Sequence, residues 1–491
     1  MRKPIAGLLV LAFCCTCLAG QKSVSKTAST GENTARANPA SRLALKGATI
    51  LPIASGPIVG GMVLIEDGKI TAVGKDLPLP EGVEVVDLSG KYLYPGLIDA
   101  GSNLALGARD KRERKGGLEV KDGLDPFDPA LGRVLAGGVT AAFVSPLLHK
   151  ATTGILGSVI RVMPGETPEG LILKRVAAVR ASLGVSSGYS SDTVSRWKDY
   201  KALDRTLKGI KSYTESRKKY VKDHKKWKKD LKEWRKKVGI PLEEEKASKE
   251  KRDQATKKKA RGEAPKKAAK KKDTAGVEKK VSRKKKKIPR RPKKPRAPRK
   301  DPVKEALQAV LLKKIPLRVE AHRVEDIRRA LELAREYGFR LVLEGATEAG
   351  ALAEEIKKAG ASVVAGPLVL FDSRRLEYEK FDPATPGHLR KAEVPVALAS
   401  ASSHPLASRF MALTAAYAAG HGMTRDQALR AVTLDAARIL GVEDVIGSIE
   451  KGKNADLVVA DRHPLATGCR VTRVFMGGKV VYSHAGRKKG S

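Results

Sequence analysis

Short apolar runs alternate with amphipathic helical patterns through the middle of the chain, and this alternation constrains the fold more than any other feature. The candidate strands are 139–144, 157–162, 317–321, 339–343, 362–365 and 394–399. The candidate helices that separate several of them are 324–337, 348–359, 407–421 and 425–440. Strands that alternate with helices predict parallel β-α-β units and an α/β fold.

Two architectures satisfy this alternation. A TIM-type (β/α)8 barrel takes about 250 residues, and segments 95–196 and 303–447 together supply about that number. A doubly wound open sheet is the competing architecture. The composition does not separate the two, and the sequence contains no visible internal repeat.

Both ends of the chain are rich in β-structure signals. Residues 62–73 contain two β-rich runs on either side of Asp67-Gly68, which is a hairpin pattern. Further strand candidates are 83–88, 455–460, 471–475 and the run that follows the turn at 476–478. We therefore expect β-structure at 45–94 and 448–491.

A basic block interrupts the alternation. The formal net charge is +42, and residues 201–300 hold 43 of the 96 Lys+Arg but only 13 of the 54 Asp+Glu. From Trp197 onward an apolar stripe with spacings of four and three predicts a helix about 60 Å long, which Gly239 and Pro241 end. The stripe consists of Leu203, Leu207, Ile210, Tyr213, Tyr220, Trp227, Leu231, Trp234 and Val238.

Residues 243–299 contain almost no large apolar side chain and cannot bury enough surface to fold. We therefore expect 197–302 to be a long insertion, helical and then disordered. Its charge predicts attraction to polyanions at 201–300, namely anionic lipid or a wall polymer. Specific nucleic-acid binding is not predicted, because no RNP-type motif or zinc-finger spacing is present. The alternative is a solvated segment without a partner.

The N-terminus has the pattern of an export signal. Arg2 and Lys3 precede an apolar stretch at 5–18, and small residues that permit cleavage lie near residue 20. We predict a signal peptide at 1–20 and a flexible linker at 21–44, which gives a periplasmic, cell-envelope or secreted protein. An uncleaved anchor and lipid attachment at Cys14, Cys15 or Cys17 are the alternatives.

Several motifs resemble the amidohydrolase superfamily, and most closely its imidazolonepropionase-like members. They are GMVLIEDGKI at 61–70, YPGLID at 94–99, ALRAVT at 428–433, ARILG at 437–441 and IGSIEKGKNADLVV at 446–459. The resemblance covers most of 45–204 and 303–485. It implies a TIM-type barrel that carries the active site, with a small composite β-sandwich built from the N- and C-terminal segments.

The resemblance also implies hydrolysis of C–N bonds at a carbonyl by metal-activated water. Histidines and carboxylates hold the metal in this family, and an Asp on the last strand is both ligand and general base. The resemblance places the family's His-x-His directly after the Pro-Gly-Leu-Ile-Asp-x motif that contains Asp99, and in this chain those two positions are Gly101 and Asn103. The position of the last-strand Asp is Ala401. The histidine of strand five corresponds to Glu320 or His322, and that of strand six to Glu344.

These substitutions predict a degenerate member of the family, a binding or scaffold protein with a small-molecule ligand in the barrel mouth and no cofactor. The alternative is an active hydrolase in which Glu320, His322 and Glu344 hold one divalent metal such as zinc. Without a metal, these side chains are either polar residues at a barrel rim or members of an ion pair with Arg323 or Arg340. His404, near Ser400, suggests either nucleophilic catalysis or the start of a helix.

The insertion leaves the predicted barrel between candidate strands four and five. Because loops after the strands open on the catalytic face, we hypothesise that the long helix lies across the mouth of the barrel. Trp227 and Trp234 would then be shielded from a soluble quencher.

Overall fold

A computed structural model of the chain describes residues 42–106, 119–146, 153–184, 193–238, 289–369, 379–401 and 404–484. The predicted signal peptide, almost all of the predicted linker and the basic tract up to residue 288 lie outside the described residues. Within the described ranges, no helix has both the length and the apolar character that crossing a bilayer requires.

The strands form two sheets. In chain order they are β1 (Arg42–Ile50), β2 (Ile58–Glu66), β3 (Lys69–Gly74), β4 (Glu84–Asp87), β5 (Tyr92–Pro95), β6 (Leu97–Ser102), β7 (Val139–Val144), β8 (Thr153–Arg161), β9 (Ile172–Ser182), β10 (Leu317–Ala321), β11 (Leu341–Gly345), β12 (Ser362–Ala365), β13 (Val396–Leu398), β14 (Leu457–Ala460), β15 (Val471–Met476) and β16 (Lys479–Ser483).

The first sheet joins the two ends of the chain. Strand β5 pairs with β14 in antiparallel fashion, so the five N-terminal strands and the three C-terminal strands share one set of hydrogen bonds. Their buried side chains, among them Leu45, Ile65 and Phe475, form a hydrophobic cluster of their own. This is the expected composite β-sandwich, and β5 continues almost directly into β6 of the second sheet.

The second sheet is a nearly closed barrel. Its eight strands, β6 to β13, are neighbours in chain order. The first and last strands come together at one end, where the Ala401 amide donates to the Gly101 carbonyl at 2.9 Å. The chain therefore adopts the predicted TIM-type barrel rather than the doubly wound sheet, whose edge strands stay apart.

Strand β8 departs from the expected parallel order, since it is antiparallel to both β7 and β9. A parallel crossover needs about a dozen residues or more, but only 145–152 and 162–171 connect β8 to its neighbours. The expectation of parallel units is wrong here because these connections are too short. Strand β9 was not predicted, because Lys174, Arg175 and Arg180 interrupt its apolar pattern.

The α-helices are α1 (Pro129–Leu135), α2 (Pro168–Leu171), α3 (Thr193–Val238), α4 (Pro302–Leu311), α5 (Val324–Tyr337), α6 (Ala353–Lys358), α7 (Thr385–Lys391), α8 (Met411–Gly420), α9 (Arg425–Ala431) and α10 (Leu434–Leu440). Short 3₁₀ helices cover Val120–Gly123, Ala349–Leu352 and Pro405–Phe410. The predicted helix 425–440 is two helices, because the backbone of Thr433 is not helical.

Helix α3 begins four residues before the predicted start and packs on the outside of the barrel. Leu203, Leu207 and Ile210 are buried, and the helix contacts α4 and α5. Arg196 pairs with Asp326 in the first turn of α5, while Asp204 accepts a hydrogen bond of 2.6 Å from Tyr337 in its last turn. Helix α3 therefore runs parallel to α5, away from the carboxyl ends of the strands.

This course contradicts the hypothesis that the helix lies across the barrel mouth. Its N-terminal leucines cover α4 and α5, so the aromatic half of the helix extends beyond the opposite end of the barrel. Any shielding of Trp227 and Trp234 has to come from another segment.

Candidate functional site

The candidate site lies inside the barrel, toward the carboxyl ends of its strands. Successive side chains of a strand point to opposite faces, so Arg318 and Glu320 of β10 share the inner face. The residue that pairs with Glu320 on β11 is Glu344, and the one that pairs with Arg318 on β9 is Arg180. The sheet register thus brings two carboxylates and two guanidinium groups together.

Glu344 lies between the two arginines. Its Oε2 atom accepts a hydrogen bond of 2.8 Å from Arg180 Nε, and its Oε1 atom is 3.2 Å from Arg318 Nη2. Arg180 also donates to Ser145 Oγ at 2.8 Å and lies 3.5 Å from Glu320 Oε2. Both carboxylate oxygens of Glu344 are therefore occupied by cations of the chain itself.

Arg318 reaches across the barrel interior and is 1% exposed. Its Nη2 atom donates to the Ala100 carbonyl of β6 at 2.8 Å, and its guanidinium lies 3.8 Å from the centre of the Phe143 ring. Burial lowers the pKa of Arg318, although the charge of Glu344 opposes that effect. For Arg180, burial also acts to lower the pKa, but Glu344 and Glu320 outweigh it and the pKa is raised.

Asp99 is fully buried and ties β6 to the end of β13. Its Oδ1 atom accepts from the amides of Gly101 at 3.0 Å and Ser400 at 2.9 Å. Its Oδ2 atom accepts from Ser408 Oγ at 2.7 Å. Burial raises the pKa of this carboxyl even though these hydrogen bonds favour its charged form. Asp99 orients backbone at the strand end.

Gly101 and Ala401 bring no metal-binding atom to the site. A Cβ atom at position 101 would lie 3.5 Å from both Arg318 Nη2 and Glu344 Oε1, and 3.2 Å from the Cβ of Ala399. A methyl group at position 101 would therefore lie in direct contact with all three side chains. Ala401 follows β13 with a positive φ of 43° and is held by the hydrogen bond of its amide to Gly101.

The remaining predicted residues are spread over the rim. His322 is buried, with its Nδ1 atom 2.7 Å from Thr347 Oγ1 and its Nε2 atom 3.7 Å from Glu320 Oε1. Asn103 follows β6 and is half-buried. His404 is exposed and precedes a 3₁₀ helix, where its Nδ1 atom accepts from the Leu406 amide at 3.3 Å.

The donor set does not fit the family's metal centre. Among the described residues, no group of three or more His, Cys, Asp or Glu side chains is arranged to hold a metal ion. Glu320 and His322 approach each other, but Glu344 is bound to two arginines. A metal ion at Glu344 would have to displace those guanidinium groups or lie against them.

A cleft of about 270 Å³, open to solvent, adjoins the site. It is lined by the ends of β11 and β12, at Gly345, Thr347 and Gly366, and by Phe381 and Asp382.

Neither Arg180 nor Arg318 was predicted as a site residue. Arg318 stands two positions before Glu320 on a predicted strand, so the alternation of side chains was a signal that it faces inward. No comparable signal existed for Arg180, because β9 was not recognised as a strand.

A model of the amidohydrolase family matches residues 119–482. A crystal structure of an amidohydrolase from Thermotoga maritima MSB8 superimposes with a TM-score of 0.68 at 29% identity, over 90% of this chain and 100% of that one.

Two curated relatives match over shorter stretches. An imidazolonepropionase of Colwellia psychrerythraea is 27% identical over 153 residues, which are 30% of this chain and 33% of that protein. A dihydroorotase of Trichlorobacter lovleyi is 33% identical over 104 residues, which are 21% of this chain and 22% of that protein. The chain thus spans a third or less of the length of these two relatives.

Proposed function

The chain belongs to the amidohydrolase family, and on this premise we propose that its barrel is a catalytically degenerate member that serves as a binding protein. Members of this family are generally metal-dependent hydrolases. In the proposed function, Arg180 and Arg318 replace the metal centre, and the chain performs no metal-dependent hydrolysis.

The observation that carries the proposal is the position of Arg318. Its Nη2 atom lies 3.5 Å from the point where a side chain at position 101 would begin, and 3.2 Å from Glu344. Two guanidinium groups carry the same charge as one divalent ion. They compensate the charges of Glu344 and Glu320, so the buried carboxylates need no metal.

A small molecule at the barrel mouth is the ligand class that this proposal implies. The cleft has Thr347 and Asp382 in its lining, which carry a hydroxyl group and a carboxylate. A few polar groups in a concave site are typical of small-molecule recognition.

The alternative proposal is a working hydrolase with a single metal ion at Glu320, His322 and Glu344. It is favoured by the short distance between Glu320 and His322, 3.7 Å, and by the fact that the matched relatives are named as enzymes. It requires Glu344 to exchange two arginine partners for the metal.

Metal content separates the two proposals. We expect protein made without an affinity tag, incubated with Zn²⁺ or Mn²⁺ and then dialysed, to retain far less than one ion per chain by mass spectrometry. Retention of one ion per chain, lost in His322→Ala and kept in His404→Ala, would overturn the degenerate barrel. Such protein should then hydrolyse a substrate of the imidazolonepropionase or dihydroorotase type.

A further inference from the structure

The distal half of α3, residues 218–238, and the segment 289–300 form an arm that carries charge far from the barrel. The arm begins where Arg217 pairs with Glu305 of α4 at 2.9 Å. Trp227 Nε1 donates to the Pro292 carbonyl at 3.1 Å, and Trp234 Nε1 to the Pro289 carbonyl at 2.6 Å. The segment therefore runs back along the helix and covers its aromatic stripe.

The covering segment has a three-residue repeat. Prolines occupy positions 289, 292, 295 and 298, and Pro292, Pro295 and Pro298 are half-buried while the residues between them are exposed. A polyproline II helix has three residues per turn and rises about 3.1 Å per residue. Three such residues span about 9 Å, close to the 10.5 Å or so that seven helical residues span between the two tryptophans.

The opposite side of the helix carries a continuous row of lysines. With about 100° of rotation per residue, positions four and three apart share one face. The row consists of Lys218, Lys222, Lys225, Lys229, Lys232 and Lys236, and every member is exposed. It lies across the helix from Trp227 and Trp234, and we call it the lysine row.

Like charges at these spacings repel each other and destabilise a helix. The arm places further cations on its other side, where Arg291 lies over Trp234 and Lys294 over Trp227. An anionic partner that neutralises the row relieves this repulsion. The lysine row thus follows the length of the arm on one side, and Arg291 and Lys294 lie on the other side.

We propose that the lysine row binds a flexible linear polyanion whose charges are phosphates. A flexible chain reaches cations on both sides of the arm, whereas a flat bilayer meets only one side. Membrane-surface helices also insert apolar or aromatic side chains. In the described part of the arm both tryptophans are half-buried against residues 289–292, and Val221 is the only large apolar side chain that is strongly exposed.

The same covering disfavours recognition of nucleic-acid bases, which stack on exposed aromatic side chains. What remains is contact with the phosphates alone, and such binding is independent of the chemistry proposed for the barrel. For single-stranded polyanions, the logarithm of the binding constant falls linearly with the logarithm of the salt concentration. The slope is about −0.7 for each phosphate that is neutralised. Six lysines therefore account for a slope of about −4.

The test uses the full chain, inorganic polyphosphate of defined length, and two variants with equal loss of charge. In the first, the six residues of the lysine row are changed to Gln. In the second, the six changed residues lie in the basic tract outside the described residues: Lys257, Lys258, Lys259, Lys266, Lys267 and Lys270. Circular dichroism establishes that α3 stays helical in both.

We expect the lysine-row variant to bind polyphosphate about 100-fold more weakly, with a salt slope shallower by about 4. The second variant should lose much less affinity. Equal losses in the two variants would overturn the proposal, because total charge would then be sufficient. Tighter binding to phosphatidylglycerol vesicles than to polyphosphate at equal phosphate concentration would overturn it in favour of a lipid surface, and tighter binding to oligothymidylate would do so in favour of nucleic acid.

Discussion

The carboxylate of Glu344 stabilises the interior of the barrel by pairing with two buried arginines. One oxygen contacts Arg180 and the other contacts Arg318, and both arginines are buried cations. Breaking a buried ion pair by removing one partner leaves a charge without compensation, and this costs about 3–5 kcal/mol. The stability of the barrel therefore depends on this buried carboxylate.

Glu344→Gln should lower the free energy of unfolding by about 3 kcal/mol, because an amide cannot neutralise two guanidinium groups. Urea denaturation measures this difference. The matched control is Glu355→Gln, whose partner Arg328 is about half exposed at 2.8 Å. Exposed pairs contribute little, so the control should unfold as the unchanged chain does. Equal stability of the two variants would contradict the proposed charge balance.

Hydrogen bonds between elements fix the position of α3 on α5. Asp204 accepts from Tyr337 and pairs with Lys208 at 2.9 Å. The hydrogen bond from Tyr337, followed by that from Lys208, lowers the pKa of Asp204. A carboxyl whose pKa is lowered by folding adds stability above its unfolded pKa of about 3.9. That stability is lost as the pH falls through the folded pKa.

Tyr337→Phe removes the main cause of this shift. We expect a loss of about 1 kcal/mol at pH 7, together with a smaller loss of stability on acidification below about pH 4. Denaturation curves across that pH range measure both effects. Asp204→Asn should remove the same pH dependence, and the double variant should lose less than the two single variants combined. Additive losses would mean that the two side chains act separately.

Across the whole molecule, the insertion divides into a part that completes the barrel and a part that does not. Leu203, Leu207 and Ile210 lie in the same hydrophobic cluster as the barrel helices. Beyond the pair of Arg217 with Glu305, Trp227 and Trp234 donate hydrogen bonds to Pro292 and Pro289 within the arm. The inserted segment is therefore structural at its base and available for binding along the arm.

Replacing residues 221–296 with a flexible linker of about eight residues should leave the thermal midpoint of the barrel within about 4 °C of the unchanged chain. The base of the arm stays in place in this variant. Leu207→Ala should instead cost about 2–5 kcal/mol, because it opens a cavity among buried side chains. If the shortened chain lost more stability than Leu207→Ala, the arm would be part of the barrel's core.

The sequence by itself determined what depends on neighbours along the chain. Strands at 139–144, 317–321 and 362–365 and the helix at 324–337 have the predicted bounds, because hydrophobic periodicity is set by local residue order. The family motifs at both ends also identified the barrel and the composite sandwich. The sequence also showed that the side chains of Gly101 and Ala401 contain no atom that can bind a metal.

Only the tertiary structure decided what meets across the barrel. The antiparallel course of β8, the position of α3 on the outside and the contact of Arg318 with Ala100 and Glu344 join residues that are far apart in sequence. The alternation of residues along a strand tells which face a side chain occupies. The arrangement of the strands in the barrel determines which side chains of other strands it contacts. That both arginines contact Glu344 became known only from the arrangement of the strands.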